Sequence, residues 1–437
     1  MNILIATLGS YGDVYPMIGL GVQLGQRGHD VTLLTNPFFE DLARRYDLDF
    51  VGLGTRAAYA QFANHPNLFD PRKSLGVFVD TLLTPAIRTG YRRLCEGIRD
   101  ADTVIVSSIS VLAARLVQEK HQVPNVTVHL TPMAFKSAYE MPRNAMFSFP
   151  DWLPIRLKRL YWWVADKAVV DPMICPELNA FRKELGLPPA RRILTRWGHS
   201  PQMVIGLFPP WYGTPQPDWP PQTRLTGFPL FDEGQETELT AEARTFLEEG
   251  EPPIVFMPGS LMQDAEPFFR IAVRSCQDMG WRAILLSRYR NHLPGALPEG
   301  IQHFEYIPFG RLLPHAAAVV HHGGIGTCAQ AMRAGVPQLL HPMAYDQYDN
   351  AWRIKRLGIG DWIVPKDWLT ATVGTKLAGL TTSAAVRQRC QQVASRLSGT
   401  LPLVKTCELI EAALSRVPLP DQQLPDPRTE RSQYARR

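Results

Sequence analysis

Short apolar runs alternate with segments of helical periodicity over most of the chain. Near the amino end, "NILIATL" and "HDVTLLT" are rich in aliphatic and β-branched residues. The segments after them, "PMIGLGVQLGQRG" and "NPFFEDLARRY", repeat their apolar residues at the spacing of a helix face. Continuous apolar strands are typical of parallel sheets that helices cover on both faces. The pattern therefore predicts an α/β fold built on parallel sheets.

The alternation is interrupted at two places, which divide the chain into two halves. From about Met141 to Pro189, the stretch "LPIRLKRLYWWVADKAVVDP" has a helical period and many aromatic and basic residues, so we expect a helical insertion there. From Leu207 to Gly234, prolines and glycines are too dense for a helix or a central strand, which indicates a linker. Beyond it, runs such as "PPIVFMPGS" and "WRAILLS" restart the alternation.

We therefore expect two α/β domains with a ligand cleft between them. At 437 residues the chain is also too long for one ordinary hydrophobic core. The expected ranges are a first domain at 1–214 that contains the helical insertion at 141–189, a proline-rich linker at 215–234, a second domain at 235–400, a closing amphipathic helix at 401–416 and a disordered polar tail at 417–437.

The composition and charge of the chain limit the kinds of partner and compartment that we expect. The formal net charge is +5, and the basic residues form no stripe interleaved with aromatics, so we expect no nucleic-acid partner. Six cysteines are scattered without a CxxC pair, which favours a reducing compartment. No apolar run reaches the ~18 residues of a membrane-spanning helix. The opening "MNILIATL" is typical of a buried strand rather than a secretion signal, so a cytoplasmic location is expected.

The stretch "AAAVVHHGGIGTCAQAMRAG" predicts an anion-binding site. An apolar strand ends in two histidines and a glycine loop, and a helix follows that Gly335 closes. At such a junction, free backbone N–H groups and the helix dipole point at an anion. Gly323, Gly324 and Gly326 would let the backbone approach closely, and a histidine would add a donor. A diphosphate fits this combination.

Further polar residues follow other strands of the same half. Asp346 and Gln347 come directly after "PQLLHPM", where a parallel sheet presents its ligands, and could hold sugar hydroxyls. Asp346 could instead cap the next helix. Tyr306, after "IQHFE", could stack on a nucleobase or be a half-buried strand tyrosine. Gly259 and Ser260 end another strand and could add phosphate contacts. Base, phosphate and sugar contacts together indicate a nucleotide-sugar.

The motif "HHGGIGT…AGVPQLL…P…DQYDNA" resembles the donor signature of family 1 glycosyltransferases with the GT-B fold. The likeness extends over nearly the whole chain, through "TLGSYGDVYPMIGL", "LTRWGHSPQMVIGLFPPW" and "LTGFPLFD". It implies two Rossmann-like domains with parallel sheets facing across a cleft, and transfer of a sugar with inversion. Within the family, the greatest likeness is to the rhamnosyltransferases of bacterial rhamnolipid synthesis.

The resemblance assigns donor-binding roles to particular residues. His322, with His321 sharing the role, would hold the diphosphate together with the backbone amides of the glycine loop. Tyr306 would meet the base, and Asp346 and Gln347 would hold the sugar. The full expected donor set is Gly259, Ser260, Tyr306, Ile307, His321, His322, Gly323, Gly324, Gly326, Thr327, Gln330, Asp346, Gln347 and Asn350.

One donor position departs from the family pattern. Gln330 stands where many UDP-glucose enzymes carry a glutamate that binds the ribose hydroxyls. The missing carboxylate favours a deoxyribose, hence a dTDP-sugar, although a glutamine can still bond a hydroxyl. The best expectation is L-rhamnose from dTDP-rhamnose moved to a lipophilic hydroxyl such as that of a hydroxy-fatty acid. The alternative is UDP-glucose-dependent transfer to a sterol, carotenoid or polyphenol.

Asp13, in "GSYGDVYP", is the expected catalytic base. It follows the first strand and opens the next helix, where some family members carry aspartate and many carry histidine. An aspartate is charged at neutral pH and can take the acceptor's proton. The residue could instead be a helix N-cap.

No metal and no cofactor beyond the donor co-substrate are expected. The "DLD" at Asp47 to Asp49 precedes its strand and lies in the wrong half for a donor metal. The adjacent histidines His321 and His322 would point to opposite faces of their strand, so they suit zinc poorly.

The acceptor pocket should come from the first half. Gly12 beside the base, and Phe78, Leu83, Trp162 and Trp163 as apolar walls, are the candidates, although ordinary helix packing explains the four large side chains equally well. The basic, aromatic helix around Trp162 could also rest on a membrane surface.

Two other classes are weighed against a transferase. A nucleotide-sugar epimerase shares the two-half architecture but needs no acceptor pocket, and a non-catalytic sensor would not depend on Asp13. Oligomeric state is left open by the sequence.

Overall fold

The computed structural model describes residues 1–99, 101–145, 149–231, 238–262 and 264–414. The predicted tail at 417–437, and the last two residues of the predicted closing helix, lie outside these ranges. No helix among the described residues has the length and apolar character that crossing a membrane requires.

The first domain is built on a parallel sheet of seven strands in the order β3-β2-β1-β4-β5-β6-β7. Alternate residues of the central strand enter different cores: Ile3 and Ile5 pack on one face of the sheet, and Leu4 and Ala6 on the other. Burial on both faces explains why the strand appears in the sequence as an unbroken apolar run. The strands are β1 (Asn2–Ala6), β2 (Asp30–Thr35), β3 (Asp49–Gly52), β4 (Thr103–Ser108), β5 (Asn125–His129), β6 (Met203–Gly206) and β7 (Thr223–Leu225).

Helices connect these strands and cover both faces. The predicted helical insertion is observed from Ile155 to Glu184, where a π-helical stretch (Asp166–Val170) joins two α-helices. A single 3-10 turn (Pro132–Phe135) follows β5. The α-helices of this part are α1 (Tyr11–Gln26), α2 (Glu40–Arg45), α3 (Arg56–Ala63), α4 (Ser74–Phe78), α5 (Ala86–Gly97), α6 (Leu112–His121), α7 (Ile155–Ala165) and α8 (Asp171–Glu184).

The second domain repeats the design with six parallel strands in the order β10-β9-β8-β11-β12-β13. Its strands are β8 (Ile254–Met257), β9 (Ala283–Leu286), β10 (Ile301–Phe304), β11 (Ala318–His321), β12 (Gln338–Leu340) and β13 (Gly360–Trp362). Its helices are α9 (Ala241–Glu248), α10 (Glu266–Met279), α11 (Phe309–Leu312), α12 (Ile325–Ala334), α13 (Gln347–Leu357), α14 (Thr370–Thr382), α15 (Ala384–Leu397) and α16 (Pro402–Leu414). The predicted α/β class with two parallel-sheet domains is confirmed.

The predicted linker at 215–234 needs a correction. Thr223–Leu225 forms β7, which pairs in parallel with β6 and completes the first sheet. Proline cannot donate to a sheet ladder, but an edge strand needs a partner on one side only, so a short strand can follow Pro220 and Pro221. The first domain therefore extends to Leu225 rather than ending at 214.

The closing helix α16 returns to the first domain. Cys407 and Ile410 are buried in the core that β1 and α1 form. Glu411 accepts two hydrogen bonds from the Arg27 guanidinium, at 2.7 and 2.6 Å, and lies 2.8 Å from His29 Nε2. An apolar stripe predicts that a helix packs against something but does not identify the partner, so the sequence did not reveal this return.

Candidate functional site

The carboxyl ends of the two sheets meet at one cleft. Tyr345 and Leu261, from loops of the second domain, pack against the core of the first. Arg288, after β9, donates a hydrogen bond of 3.2 Å to the Tyr11 hydroxyl at the start of α1. The loops that follow β1, β8, β9 and β12 therefore line a shared space. In parallel sheets this edge is where ligands bind.

Asp13 lies in the first turn of α1, on the first-domain wall of this cleft. Its Oδ2 accepts hydrogen bonds from the Ser10 backbone N–H at 2.7 Å and from the Ser10 hydroxyl at 3.2 Å. Ser10 is the N-cap residue, and the two residues form a capping box. The alternative that Asp13 is itself the N-cap is therefore wrong. Gly9, at φ 140°, is needed here because a Cβ on it would lie 2.2 Å from the same oxygen.

The Asp13 carboxyl is poised to accept a proton. Burial raises its pKa above the ordinary value for aspartate, and the hydrogen bonds from Ser10 oppose that rise. No cation within the described residues pairs with it. A carboxylate with a raised pKa is a stronger base than a solvated one. Gly12, predicted to lie beside the acceptor, is exposed, and its N–H donates to the Ser10 hydroxyl.

The glycine loop after β11 leaves the start of α12 open. Gly324 is the N-cap residue, and no side chain caps the helix. The first-turn amides, which include those of Gly326 and Thr327, are therefore available to an anion. Gly323 has φ 93°, and a Cβ there would press on Leu340 and the Gln347 carbonyl.

His322 fills the space between two glycines. A Cβ on Gly259 would lie 2.8 Å from His322 Nδ1, and a Cβ on Gly324 would lie 2.5 Å from Nε2. Burial lowers the pKa of His322 to about 4, so the ring is neutral at physiological pH. Its Nδ1 is buried and has no hydrogen-bond partner in the described part of the chain. A buried polar atom without a partner is costly unless a ligand satisfies it.

His321 does not share that role. Its Nδ1 accepts a hydrogen bond of 3.1 Å from the Gly323 N–H, and its Nε2 lies 3.1 Å from Gln338 Oε1. Both ring nitrogens are thus used inside the protein, and burial lowers the pKa of the ring to about 3. The prediction that His321 helps to bind the diphosphate is corrected: this residue shapes the glycine loop.

Asp346 lies on the second-domain wall, at the N-cap position of α13. Its side chain makes no capping hydrogen bond, so the interpretation of Asp346 as a helix cap is wrong. Its Oδ2 accepts a hydrogen bond of 2.9 Å from Asn350. Burial, together with the nearby negative charge of Asp13, raises the pKa of Asp346 to about 6, and the bond from Asn350 opposes this rise. The two carboxyls therefore act on each other across the cleft.

Asn350 and Gln347 on α13 differ in how many of their hydrogen-bonding groups are already used within the protein. Asn350 donates to the Gly323 carbonyl and to Asp346, both at 2.9 Å, and accepts from the Tyr212 hydroxyl at 3.0 Å. Its predicted contact with the diphosphate is corrected to a positioning role, because the amide is saturated. Gln347 uses its Oε1 to accept from two loop N–H groups, which leaves its amide nitrogen for a sugar hydroxyl.

The remaining donor candidates surround the same loop. Gln330 is buried on α12. Tyr306 lies two residues past β10 and is 38% exposed, so it is not a half-buried strand tyrosine. The side chain of Ile307, a predicted donor contact, is instead part of the hydrophobic core, which leaves only its backbone for the donor. Ser260 is exposed directly after Gly259.

The predicted acceptor residues divide into two groups. Phe78 is half-buried and continues a row of aromatic rings that begins at Tyr11, beside Asp13, and runs through Phe38, Tyr59 and Phe62. This row was not predicted from the sequence, because its members come from four separate elements: α1, a 3-10 turn (Pro37–Phe39), α3 and α4. Leu83 is instead buried, 6% exposed, in a hydrophobic core against which Phe78 also packs. The prediction that Leu83 lines the acceptor pocket is therefore corrected.

The two tryptophans of α7 also separate. Trp162 donates a hydrogen bond of 3.1 Å to the Ser137 carbonyl in the loop after β5. Trp163 points to solvent, where it is 46% exposed beneath the ammonium of Lys167. Adjacent residues on a helix face different directions. Trp162 therefore packs on the loop after β5, and the prediction that Trp163 lines the acceptor pocket is corrected.

An ion-pair network that the sequence did not predict joins the domains behind the site. Arg353 on α13 contacts Glu140 of the first domain at 2.7 Å and Asp349 at 2.8 Å. It also donates to the Tyr212 carbonyl. These partners are separated by up to some two hundred residues of sequence and no motif links them. The "DLD" at Asp47 to Asp49, in contrast, lies at the amino end of β3, away from the cleft.

Comparisons with known proteins agree with this architecture. Residues 3–140 match the glycosyltransferase family 28 N-terminal domain, and residues 283–405 match the C-terminal domain of the erythromycin biosynthesis protein CIII-like family. The chain is 29% identical over 434 residues to the O-mycaminosyltylonolide 6-deoxyallosyltransferase of Streptomyces fradiae, which covers 94% of this chain and 97% of that protein.

Two further relatives differ in what they act on or bind. The sterol 3-beta-glucosyltransferase of Candida albicans is 26% identical over 443 residues, 94% of this chain but 28% of that larger protein. The solved structure of a spinosyn rhamnosyltransferase complexed with thymidine diphosphate is 17% identical, with a TM-score of 0.66, and the match covers 94% of this chain and 100% of that one. At this identity, the second likeness bears on the fold alone.

The two histidines should respond differently to substitution. His322→Ala should weaken the binding of a nucleoside diphosphate by about 10-fold or more, because it removes a donor to the diphosphate. His321→Ala should mainly lower the melting temperature, because it removes the hydrogen bonds by which the ring joins Gly323 to Gln338. Calorimetric titration and thermal unfolding of both variants check this. The assignment would be contradicted if His321→Ala weakened diphosphate binding without lowering the melting temperature, and His322→Ala lowered the melting temperature without weakening binding.

The two carboxyls should titrate as neighbours. Asp13→Asn removes a negative charge near Asp346, so the pKa of Asp346 should fall below about 6. The midpoint can be followed through the carboxyl carbon chemical shift by NMR. Asp47→Asn, at the far end of β3, is the matched control and should leave the midpoint where it is. An unchanged midpoint in Asp13→Asn would show that the carboxyls do not share one cleft.

Proposed function

This chain is a glycosyltransferase of the family 1 and family 28 type with the GT-B fold, and on that premise we propose that it transfers a sugar, with inversion, to a hydroxyl of a lipophilic small molecule. The observation that carries the proposal is the meeting of Asp13 and Asp346 across one cleft, each on a different domain. A sugar held by the second domain would lie between the carboxyl that grips it and the carboxyl that activates its acceptor. Because the chain matches glycosyltransferases, we do not retain the nucleotide-sugar epimerase or the non-catalytic sensor as candidates.

In the proposed reaction, Asp13 takes the proton of the acceptor hydroxyl as that oxygen attacks the anomeric carbon of the sugar. The bond between this carbon and the diphosphate oxygen breaks, and its electron pair leaves with the diphosphate. Amides at the start of α12 and the His322 ring stabilise the departing charge by fixed dipoles. Attack from the side opposite the diphosphate inverts the anomeric configuration. Asp346 and the Gln347 amide hold the sugar hydroxyls.

For the donor we propose dTDP-rhamnose. Gln330 is buried and uncharged, so a ribose would meet no carboxylate there. The likeness to the rhamnosyltransferases of rhamnolipid synthesis points the same way. UDP-glucose with a sterol-type acceptor is the second candidate, and the similarity to sterol 3-beta-glucosyltransferases favours it.

For the acceptor we propose an alcohol with a long apolar chain, such as a hydroxy-fatty acid. The aromatic row from Tyr11 to Phe78 begins beside the base. Tyr11, Phe38 and Phe78 keep accessible surface that offers an apolar wall for such a chain, and the buried Tyr59 and Phe62 support it from behind. Aromatic rings give large contact area at low entropic cost, which suits recognition of a hydrocarbon. Tyr59 belongs to this row and feels the charge of Asp13, so the wall and the base are close neighbours.

We further propose that α7 rests on the inner face of an anionic membrane. Its outer face is apolar and basic: Leu157, Leu160 and Val164 are exposed, and Arg156 and Arg159 lie between them. Between Trp152 and Val170 the only acidic residue, Asp166, is buried. A helix whose exposed face joins apolar and cationic side chains is typical of contact with an anionic lipid surface.

The donor proposal is tested by comparing dTDP with UDP in calorimetric binding, and dTDP-rhamnose with UDP-glucose in turnover. The protein should bind dTDP more tightly than UDP, and transfer should be faster from dTDP-rhamnose than from UDP-glucose. Gln330→Glu should shift the preference toward UDP, because a carboxylate can accept from both ribose hydroxyls. Tighter binding of UDP by the unaltered protein would instead support the glucosyl alternative. Binding of neither nucleotide would contradict the donor site itself.

The membrane proposal is tested by sedimentation with vesicles. The protein should bind phosphatidylglycerol vesicles more than phosphatidylcholine vesicles, and Leu160→Asn should lose most of this binding. Leu369→Asn, an equally exposed leucine on the second domain, is the matched control. Equal vesicle binding by both variants, or no binding by the unaltered protein, would contradict the proposal that α7 contacts a membrane.

A further inference from the structure

The ammonium group of Lys136 has no anionic partner in the part of the chain that the structure describes. The residue follows the 3-10 turn after β5, is half-buried, and adopts φ 52°. Its Nζ lies over the ring of Trp162, 5.7 Å from the centroid. Within the described residues, no carboxylate lies within ion-pair distance and no hydrogen bond to it is found. A half-buried ammonium without an ion-pair partner is available to bind an anionic ligand.

The backbone on both sides of Lys136 is held in place. Phe135 stacks on Trp219 with centroids 4.2 Å apart. On the other side, the Ser137 hydroxyl and the Ala138 N–H donate to Asp218 at 2.6 and 2.7 Å. The ammonium is therefore presented by a fixed loop rather than by a mobile one. A preorganised cation loses less entropy on binding an anion.

The same loop leads into the cleft. Glu140, four residues on, pairs with Arg353 of α13, and the Arg143 N–H donates to Asp349 at 3.1 Å. Lys136 thus lies where the first domain meets the helix that follows Asp346. Burial lowers the pKa of Lys136 to about 8, and the nearest carboxylates, Asp349, Asp346 and Asp166, oppose that shift from a distance.

Each of those carboxylates is already engaged elsewhere. Asp349 pairs with Arg353 and accepts from the Arg143 N–H. Asp346 accepts from Asn350. Asp166 accepts from the Leu194 N–H and the Thr195 hydroxyl. The charge of Lys136 is balanced by the general field of the site but has no partner of its own.

We propose that Lys136 binds a carboxylate of the acceptor, which makes the acceptor a hydroxy acid rather than a neutral alcohol. This inference rests on the proposed function. Trp162 would contact the chain next to the carboxylate, while the ammonium forms the ion pair.

The acceptor is the substrate that suits this position. The donor's diphosphate has its own partners, the α12 amides and His322, on the other domain. An anionic sugar would be repelled by Asp346, which holds the donor's hydroxyls in the proposed reaction. A carboxylate on the acceptor meets neither objection, because Lys136 belongs to the same domain as Asp13.

The test compares a hydroxy-fatty acid with its methyl ester, which keeps the same reacting hydroxyl. In the unaltered protein kcat/KM should favour the acid, and Lys136→Met should reduce the acid-to-ester ratio by about 10-fold or more, mainly through KM. Lys183→Met, an exposed lysine on α8, is the matched control and should keep the ratio. An unchanged ratio in Lys136→Met, with the ester still a substrate, would overturn the role of Lys136 and leave the proposed transfer standing.

A binding measurement keeps this test independent of turnover. Decanoate should bind the unaltered protein, and Lys136→Met should weaken that binding by about 10-fold or more in calorimetric titration. Lys183→Met should bind as the unaltered protein does. Equal affinities in all three proteins would reject the carboxylate site, whichever donor the protein uses. Loss of transfer from every donor, with decanoate binding still dependent on Lys136, would instead count against the proposed function alone.

Discussion

Asp13 and Asp346 lie half-buried on opposite walls of one cleft, and the hydrogen bonds around each carboxyl hold this arrangement in place. Two carboxyls that share a poorly solvated space repel each other when both are ionised. Among the residues that the structure describes, no cation forms an ion pair with either carboxyl. Ser10 holds Asp13 and Asn350 holds Asp346, both through neutral donors. Neutral donors fix the positions of the oxygens while leaving the pKa of each carboxyl raised, so both remain responsive to a substrate placed between them.

The geometry of this pair depends on contacts between the domains. Tyr212 of the first domain donates to Asn350, and Asn350 in turn holds the glycine loop through the Gly323 carbonyl. Arg353 joins Glu140 to Asp349 beside the same helix. Breaking a buried ion pair by removing one partner costs about 3–5 kcal/mol. The donor site and the acceptor domain are therefore mechanically coupled, and α16 adds a second connection by packing on α1.

Much of this could be predicted from the chain alone, for physical reasons. Buried parallel strands appear as apolar runs, and a glycine loop before a helix marks an anion site wherever it occurs. The roles of individual polar residues were harder to predict. His321 and His322 are adjacent, yet one satisfies the loop and the other meets the cleft, because successive residues at a strand end face opposite ways. Asn350 matched a ligand motif, but its amide oxygen accepts a hydrogen bond from Tyr212, which lies far away in sequence. Its amide nitrogen donates to Gly323 and Asp346.

Other features escaped prediction because they depend on pairing rather than on pattern. β7 is three residues long and sits among prolines, so only its partner β6 reveals it as a strand. Lys136 resembles any loop lysine in the sequence. Its isolation becomes visible only when the engagements of Asp349, Asp346 and Asp166 are known.

The most direct measurement is the turnover rate of Asp13→Asn alongside its melting temperature. An asparagine can still accept the hydrogen bonds of Ser10, so the capping box should persist and the melting temperature should change little. It cannot take a proton, so kcat should fall by about 100-fold or more while donor binding is kept. A variant that turns over at the original rate, or loses activity only in step with its stability, would contradict the account of Asp13 as the base.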